Sequence, residues 1–259
     1  MKIGVLYKEN DIKSLDCLNE FKSKCPYECI DLNCNQKVDY IICFGGDGTT
    51  LKSVKYAVQF DAPVISVNSG NLGFLSAYNA NEVDKLICDL QHNNINFTKK
   101  VLLEFTENNC SHYALNEVIV ERNHANYSET NLFRLKLNES SVQSAVCDGI
   151  IISTPTGSTA YSLSAGGSIL HPSVNAFIAT FICSHSNNSH PIVFNDEHLI
   201  EITCDKATMP AAVFIDGIMV SKLTTNSKLL IKKSKKTIKI ASNQDYYSTL
   251  NAKLKNWSK

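Results

Sequence analysis

An excess of one charge, a long apolar run and paired cysteine motifs are all missing from this chain, and each absence removes a class of function. Across 259 residues, 25 Lys and Arg stand against 25 Asp and Glu, so no global positive charge draws the protein to nucleic acid or to an anionic membrane. A local basic run, Lys232-Lys233-Ser234-Lys235-Lys236, reads as a solvated turn between two strands. No apolar stretch reaches the roughly 20 residues of a membrane span. The opening MKIGVLYKEN carries only a five-residue apolar run before charge returns, too short for a secretory signal core. Ten cysteines are present, but none form a C-x-x-C pair, and Cys25, Cys29 and Cys34 lack zinc spacing. Others, such as Cys43 and Cys88, fall at apolar positions where a free thiol acts as a small hydrophobe. The chain therefore reads as cytoplasmic with reduced thiols. Repeats and low-complexity segments are absent too.

What remains, 44% apolar and 19% charged, is the composition of a soluble globular protein. The first hundred residues alternate between two periodicities. Short β-rich runs at 3–7, 28–32, 39–44 and 63–67 are separated or followed by helical patterns: Ile12, Leu15, Leu18 and Phe21; Leu51, Val54 and Val58; Val83, Leu86, Ile87 and Leu90. Strands alternating with helices predict a parallel sheet covered on both faces, a Rossmann-like α/β domain over residues 1–98. Beyond it, over 99–243, short β-branched or alternating runs dominate: 101–105, 113–121, 132–137, 149–153, 199–204, 211–215 and 228–231. Turn residues between them predict a β-rich domain, an antiparallel β-sandwich. One helix is expected from Ser158 to Ala165, ending at Gly166-Gly167. The last segment, 244–259, is amphipathic through Tyr247, Leu250, Leu254 and Trp257 and reads as a helix or arm docking on another surface.

The stretch IICFGGDGTT, residues 41–50, is a buried strand that turns abruptly to glycine and one carboxylate. Strand, glycine turn and helix together aim backbone N–H groups at an anion, and Gly45, Gly46 and Gly48 would let a phosphate approach closely. Thr49 and Thr50 are expected to cap the helix. The spacing is neither a Walker A loop nor a dinucleotide G-x-G-x-x-G, and a plain chain reversal accounts for the glycines equally well. Asp47 tips the balance. A carboxylate facing a phosphate repels it unless it carries chemistry, either accepting a proton from an attacking hydroxyl or holding a magnesium ion on a polyphosphate.

Two further clusters point to a site. Residues 147–167, CDGIIISTPTGSTAYSLSAGG, combine Asp148, hydroxyl residues and one aromatic, Tyr161, which suits a base or ribose; a serine-hydrolase elbow is excluded because G-x-S-x-G is absent. Asn116-Glu117 sit together inside an apolar strand, where adjacent side chains face opposite ways, so at least one should meet solvent or ligand. Each cluster alone is equally explained by capping and turn chemistry.

Together, GGDGT (45–49), NSGNLGFL (68–75), NEVIV (116–120), DGIIISTPTGSTAYSLSAGGSILHP (148–172) and IDG (215–217) resemble the NAD kinase family, in order and over nearly the whole chain. The long 148–172 stretch is the most specific of these, whereas GGDG alone is shared with lipid kinases. The resemblance implies transfer of a phosphoryl group from ATP, another nucleoside triphosphate or polyphosphate, with a divalent metal, expected to be Mg2+, to the adenosine 2′-hydroxyl of NAD, giving NADP. It implies Asp47 as proton acceptor, with Gly45, Gly46 and Gly48 in the phosphate-facing turn and Lys52 toward phosphate. Phe74 would line the site, Asn116 and Glu117 would grip ribose and adenine-side groups, and Asp148 would lie near the nicotinamide. Ser158, Thr159, Ala160, Tyr161 and Ser164 would form the adenine pocket. It further implies a homodimer or homotetramer, and a last segment, 244–259, that returns to the first domain. Val146, where many members carry a basic residue, and ICSHSNNSHP (182–191) depart from the family pattern and bear on subunit contacts and the phosphate clamp. A lipid or sugar kinase sharing only the GGDG turn, and a non-catalytic nucleotide-binding protein, are the alternatives.

Overall fold

A computed structural model of the chain describes residues 1–32, 36–70, 73–122, 131–186, 189–205, 210–225, 227–243 and 245–257. The first part runs β1 (Lys2–Tyr7), α1 (Ile12–Lys24), β2 (Glu28–Asp31), β3 (Tyr40–Phe44), α2 (Asp47–Phe60), β4 (Val64–Asn68), β5 (Tyr78–Asn79) and α3 (Val83–His92). Its strands pair in parallel in the order β5-β4-β3-β1-β2, with Ile41 opposite Val64 and Ile3 opposite Tyr40. β4 is buried along its whole length and β3 along all but its first residue, which is why their sequences are continuous apolar runs rather than alternating ones. Phe21 of α1 packs on Phe44 of β3 with ring centroids 5.4 Å apart, and Leu86 of α3 joins the same core.

The second part continues with β6 (Phe97–Glu107), β7 (Cys110–Ala114), β8 (Glu117–Glu121), β9 (Asn131–Leu137), β10 (Ser140–Cys147), β11 (Gly149–Ser153) and α4 (Tyr161–Ser164). It then runs β12 (Ala176–Ile182), β13 (Ile192–Asn195), β14 (Ile200–Asp205), β15 (Ala211–Ile215), β16 (Ile218–Leu223), β17 (Lys228–Ala241) and α5 (Tyr246–Trp257). One antiparallel sheet has the order β13-β12-β11-β8-β15-β16, and a second pairs β10, β9, β14 and the start of β17. Val118, Val120, Ile150 and Ile152 from the first sheet share one core with Phe133, Leu135, Ile200 and Ile202 from the second. The chain thus comprises an α/β unit and an antiparallel sandwich, the fold class expected from the sequence.

Contacts divide the chain into residues 1–100 with 237–259, and residues 101–236. The passage back into the first unit lies inside β17, whereas composition breaks only near 244; a continuous strand leaves no compositional mark. Within the first unit, Ile240 pairs with Val64, Thr98 Oγ1 donates to the Ile240 carbonyl (3.3 Å), and Asn243 Nδ2 donates to the Ala77 carbonyl (3.3 Å).

Four local expectations are corrected. The basic run 232–236 is not a turn but part of β17, because Leu229, Ile231, Ser234 and Ile238 turn inward and leave lysines outward. Residues 113–121 are not one strand: β7 ends at Ala114 and β8 begins at Glu117. Cys88 is exposed rather than packed. The helix expected from Ser158 to Ala165 is a 3-10 turn, Gly157–Thr159, followed by a single α turn at Tyr161–Ser164, because Ala160 between them leaves helical geometry (φ −102°, ψ −130°). No helix among the described residues is long and apolar enough to cross a membrane.

Candidate active site

In the α/β unit the site is built where β3 runs into α2. Gly45 takes φ +150° and donates its N–H to the Val67 carbonyl (2.9 Å), which turns the chain off the end of the sheet. Gly46 is the extended N-cap, and Asp47 is the first residue of the helix. The threonines do not cap as expected. Gly46 has no side-chain cap bond, and Thr50 Oγ1 instead donates to Ser66 Oγ on β4 (2.7 Å). A carboxylate at a helix N-terminus is electrostatically favoured, and here it is also held: Oδ2 accepts the Phe74 N–H (3.0 Å) and Oδ1 accepts the Leu75 N–H (3.1 Å). This clamp needs a glycine at 73, because a Cβ there would stand 2.1 Å from Asp47 Oδ1.

A Cβ added at Gly46 or Gly48 would meet nothing within 4 Å, so the chain itself does not demand glycine at either position. A cleft of about 570 Å³ opens beside Gly46, lined by Lys8, Lys13, Asn68 and Ser69 among others. Lys52 is exposed on α2. Phe74 is half-buried, with Lys253 of α5 5.6 Å from its ring centroid.

In the sandwich unit, Asn116 and Glu117 sit at the break between β7 and β8. Both are buried from solvent, at 9% and 5% exposure, and the break removes the strand alternation on which they were expected to face opposite ways. Asp216, in the turn between β15 and β16, explains how the break is tolerated. Its Oδ2 accepts the Leu115 N–H (2.9 Å), and its Oδ1 accepts the N–H groups of Asn116 (2.8 Å) and Glu117 (3.1 Å). From the other side, Thr154 Oγ1 donates to the Leu115 carbonyl (2.6 Å) and Thr154 N–H to the Asn116 carbonyl (2.9 Å). Gly157 packs against that same carbonyl, where a Cβ would lie at 2.2 Å. Burial first, and then the charge of Asp216, pushes the Glu117 carboxyl up to about 8. Burial also raises Asp216, to about 6, against the opposing pull of its three N–H donors.

Asp148 is half-buried and lies 2.7 Å from Arg122 Nε, an ion pair rather than an aligned hydrogen bond. Tyr161, at the start of α4, is 38% exposed, and burial together with Glu121, Asp148 and Glu117 raises its hydroxyl. Tyr161, Asp148 and Glu117 therefore share one electrostatic environment. Thr159 is buried, Ala160 is half-buried and Ser164 is exposed at the end of α4. Ser158 differs from the rest: it is fully buried, donates to the Pro155 (2.8 Å) and Leu170 (3.3 Å) carbonyls and accepts the Leu170 N–H (2.9 Å). Its hydroxyl is committed to the fold.

Sequence reasoning assigned no role to Asp216, Gly73, Gly157 or Arg122. Asp216 lies within IDG, which entered only as part of the family resemblance, and its partners are about 100 residues away in sequence. No local pattern could have shown the pairing. Gly73 and Gly157 likewise matter through atoms distant in sequence.

Comparison with known proteins assigns both parts of the chain to one family. Residues 3–95 match the ATP-NAD kinase N-terminal domain and residues 115–242 the ATP-NAD kinase C-terminal domain. The NAD kinase of Petrotoga mobilis is 37% identical over 223 residues, spanning 85% of this chain and 80% of that protein. The NAD kinase of Fusobacterium nucleatum is 31% identical over 261 residues, spanning 98% and 97%. Among solved structures, yeast NADH kinase complexed with NADH superposes with a TM-score of 0.84 at 22% identity, covering 97% of this chain and 86% of that one. An Archaeoglobus fulgidus NAD kinase in complex with ATP gives 0.78 at 23% identity, covering 98% and 99%. Both matched domains and these relatives are NAD kinases, which disfavours the lipid-kinase and sugar-kinase alternatives. With both of its domains matched and close relatives along nearly its full length, the chain belongs to the ATP-NAD kinase family of phosphotransferases.

Proposed function

We propose that the chain transfers the γ-phosphoryl group of ATP, delivered with a divalent metal, to the adenosine 2′-hydroxyl of NAD, releasing NADP and ADP. The observation that carries this reading is the Asp47 constellation. A carboxylate is pinned by two backbone N–H groups at the head of a helix, beside glycines whose missing side chains leave space the chain does not fill. Asp47 accepts the 2′-hydroxyl proton as the new O–P bond forms and the bond to ADP breaks. Each of its oxygens keeps a lone pair beyond the N–H bond it already accepts. A positioned carboxylate base contributes about 10²–10⁴-fold, and phosphate placement supplies much of the rest.

The other roles are those the family resemblance implies, read with the chemistry of each side chain. Lys8 and Lys13 outnumber the one carboxylate, Asp11, in the lining of the cleft beside Gly46, which suits a polyphosphate tail, and exposed Lys52 is available to the same anion. Phe74 lines the site. Asn116 and Glu117 grip ribose and adenine-side groups, Asp148 takes the nicotinamide end, and Thr159, Ala160, Tyr161 and Ser164 form the adenine pocket. Ser158 shapes that pocket through the fold rather than by touching ligand. Among the described residues no three His, Cys, Asp or Glu side chains gather to cage a metal. A magnesium ion arriving on the donor's phosphates, with waters and one carboxylate, needs no such cage. All nine described cysteines are free thiols, which supports a reducing, cytoplasmic setting. We expect a homodimer or homotetramer, to be read by light scattering.

The test is direct. Purified protein with NAD, ATP and Mg2+ should generate a signal from an NADP-specific dehydrogenase, with polyphosphate and NADH tried as substitutes. No NADP from any donor would overturn the reading. Asp47→Asn should lose about 10²–10⁴-fold in turnover while still binding NAD. Loss of NAD binding as well would make Asp47 a ligand grip and place the base elsewhere.

A further inference from the structure

A strand break in a buried sheet leaves backbone N–H groups that no neighbouring strand takes. At Leu115–Glu117 all three are taken by one side chain, Asp216, whose own N–H donates back to the Glu117 carbonyl (3.1 Å). Asp216 achieves this from a left-handed backbone (φ +48°) followed by Gly217 at φ +83°. Holding the break together accounts for the N–H bonds. It does not account for a second carboxyl beside the first: Glu117 is 5% exposed, and its Oε2 is buried with no hydrogen-bond partner.

Two carboxyl groups in one desolvated spot cannot both ionise cheaply. The one with three N–H donors keeps the charge, and the one with a buried, unpartnered oxygen keeps the proton. We infer that Asp216 is a positioning residue for the dinucleotide: it fixes the Leu115–Glu117 backbone and keeps Glu117 a neutral acid, whose unpartnered oxygen is a hydrogen-bond donor offered to an acceptor atom of the nucleoside. The inference rests on the reading of Asn116 and Glu117 as NAD-binding residues.

The electrostatics agree. Burial and the Asp216 charge together raise Glu117 to about 8, while Asp216 itself is raised only to about 6, so Asp216 loses its proton first. Of the elements around Glu117, β11 faces it with neutral Ser153, and α4 brings the Tyr161 hydroxyl, which is also coupled to Glu121 and Asp148. The charge of Arg122, further along at the end of β8, is paired with Asp148. Below about pH 8 Glu117 is the donor; above it the donor is lost and a second buried negative charge appears.

NAD binding without a donor, followed by calorimetry from pH 6 to 9.5, tests this. Wild-type affinity should be flat to about pH 7 and then fall about tenfold per pH unit above 8, as loss of one proton requires. Glu117→Gln, a fixed neutral donor, should remove that alkaline fall. Asp216→Asn should raise KM for NAD about tenfold, the equivalent of one lost hydrogen bond, with a smaller change in kcat. It should also move the alkaline fall to lower pH, because the charge holding Glu117 neutral is gone. If Asp216→Asn does not fold, the wild-type and Glu117→Gln profiles decide alone. NAD binding with a flat wild-type profile overturns the inference, and so does an alkaline fall that survives in Glu117→Gln. An Asp216→Asn protein that loses thermal stability but keeps the wild-type profile makes Asp216 structural only and overturns it too. Absence of NAD binding at every pH overturns the functional reading, and this inference with it.

Discussion

A single missing Cβ shows most clearly how residue-level sterics serve the proposed chemistry. Gly73 lies beside the Asp47 carboxylate so closely that an added methyl would sit 2.1 Å from Oδ1. Gly73→Ala should displace that carboxylate from its two N–H donors. A misplacement of about 1 Å in a catalytic group costs on the order of 10²-fold in rate, and overpacking costs about 1–3 kcal/mol of stability. Steady-state turnover and thermal melting of the alanine variant measure both, and an alanine enzyme as fast as wild type would show that the clamp is not needed for catalysis. Gly46 and Gly48 differ, because nothing in the protein touches their missing Cβ. Their glycine identity is legible as motif, and no contact within the protein requires it.

At the scale of elements, β17 carries a lesson about charge. Four lysines in five residues look like a loop, yet alternating apolar neighbours hold the segment in a strand, and Lys233 reaches Asp196 (2.9 Å) and Glu197 (2.7 Å) from it. Trypsin needs an extended, unpaired backbone in its cleft. The native protein should therefore resist cleavage at Lys232–Lys236 despite the density of target sites, and limited digestion with mass mapping of the first cuts will show it. Early cutting within that run would mean the strand opens locally. The break between β7 and β8 teaches the reverse. Tyr113–Glu121 has the apolar pattern of one strand, but Asp216 and Thr154 compete for its backbone and interrupt it at Leu115–Asn116.

For the whole molecule, burying a carboxyl without donors has a pH signature. The folded pKa of Glu117 is raised from 4.5 to about 8, so the unfolded chain ionises first as pH rises. Stability from this group is therefore full below about pH 4.5, declines through the interval, and is lost once pH passes about 8. Glu117→Gln removes the dependence. Its melting temperature should lie close to wild type near pH 5 and exceed it by roughly 10 °C at pH 8.5, taking about 2–4 °C per kcal/mol for a chain of this size. Equal melting temperatures at both pH values would show that Glu117 is ionised without cost. Asp216 contributes in the same direction at lower pH, between 3.8 and about 6, and is present in both proteins, so it cancels in the comparison.

The amino-acid sequence by itself determined the fold class and the family. Its periodicities separate a parallel α/β sheet from an antiparallel sandwich, and GGDGT with the 148–172 stretch suffices to identify the relatives, because both signals are local. What only the tertiary structure decided is how the polar residues are used. It showed Asp47 clamped through Gly73, the Ser158 hydroxyl consumed by the fold, and Asn116 and Glu117 locked into a strand break by Asp216. The Asp47 clamp and the Asp216 lock depend on hydrogen-bonding partners about 27 and 100 residues away along the chain, and Ser158 on Leu170 twelve residues on. A side chain's chemistry is written in its sequence position, but the donors and charges that set its protonation and direction are chosen by packing.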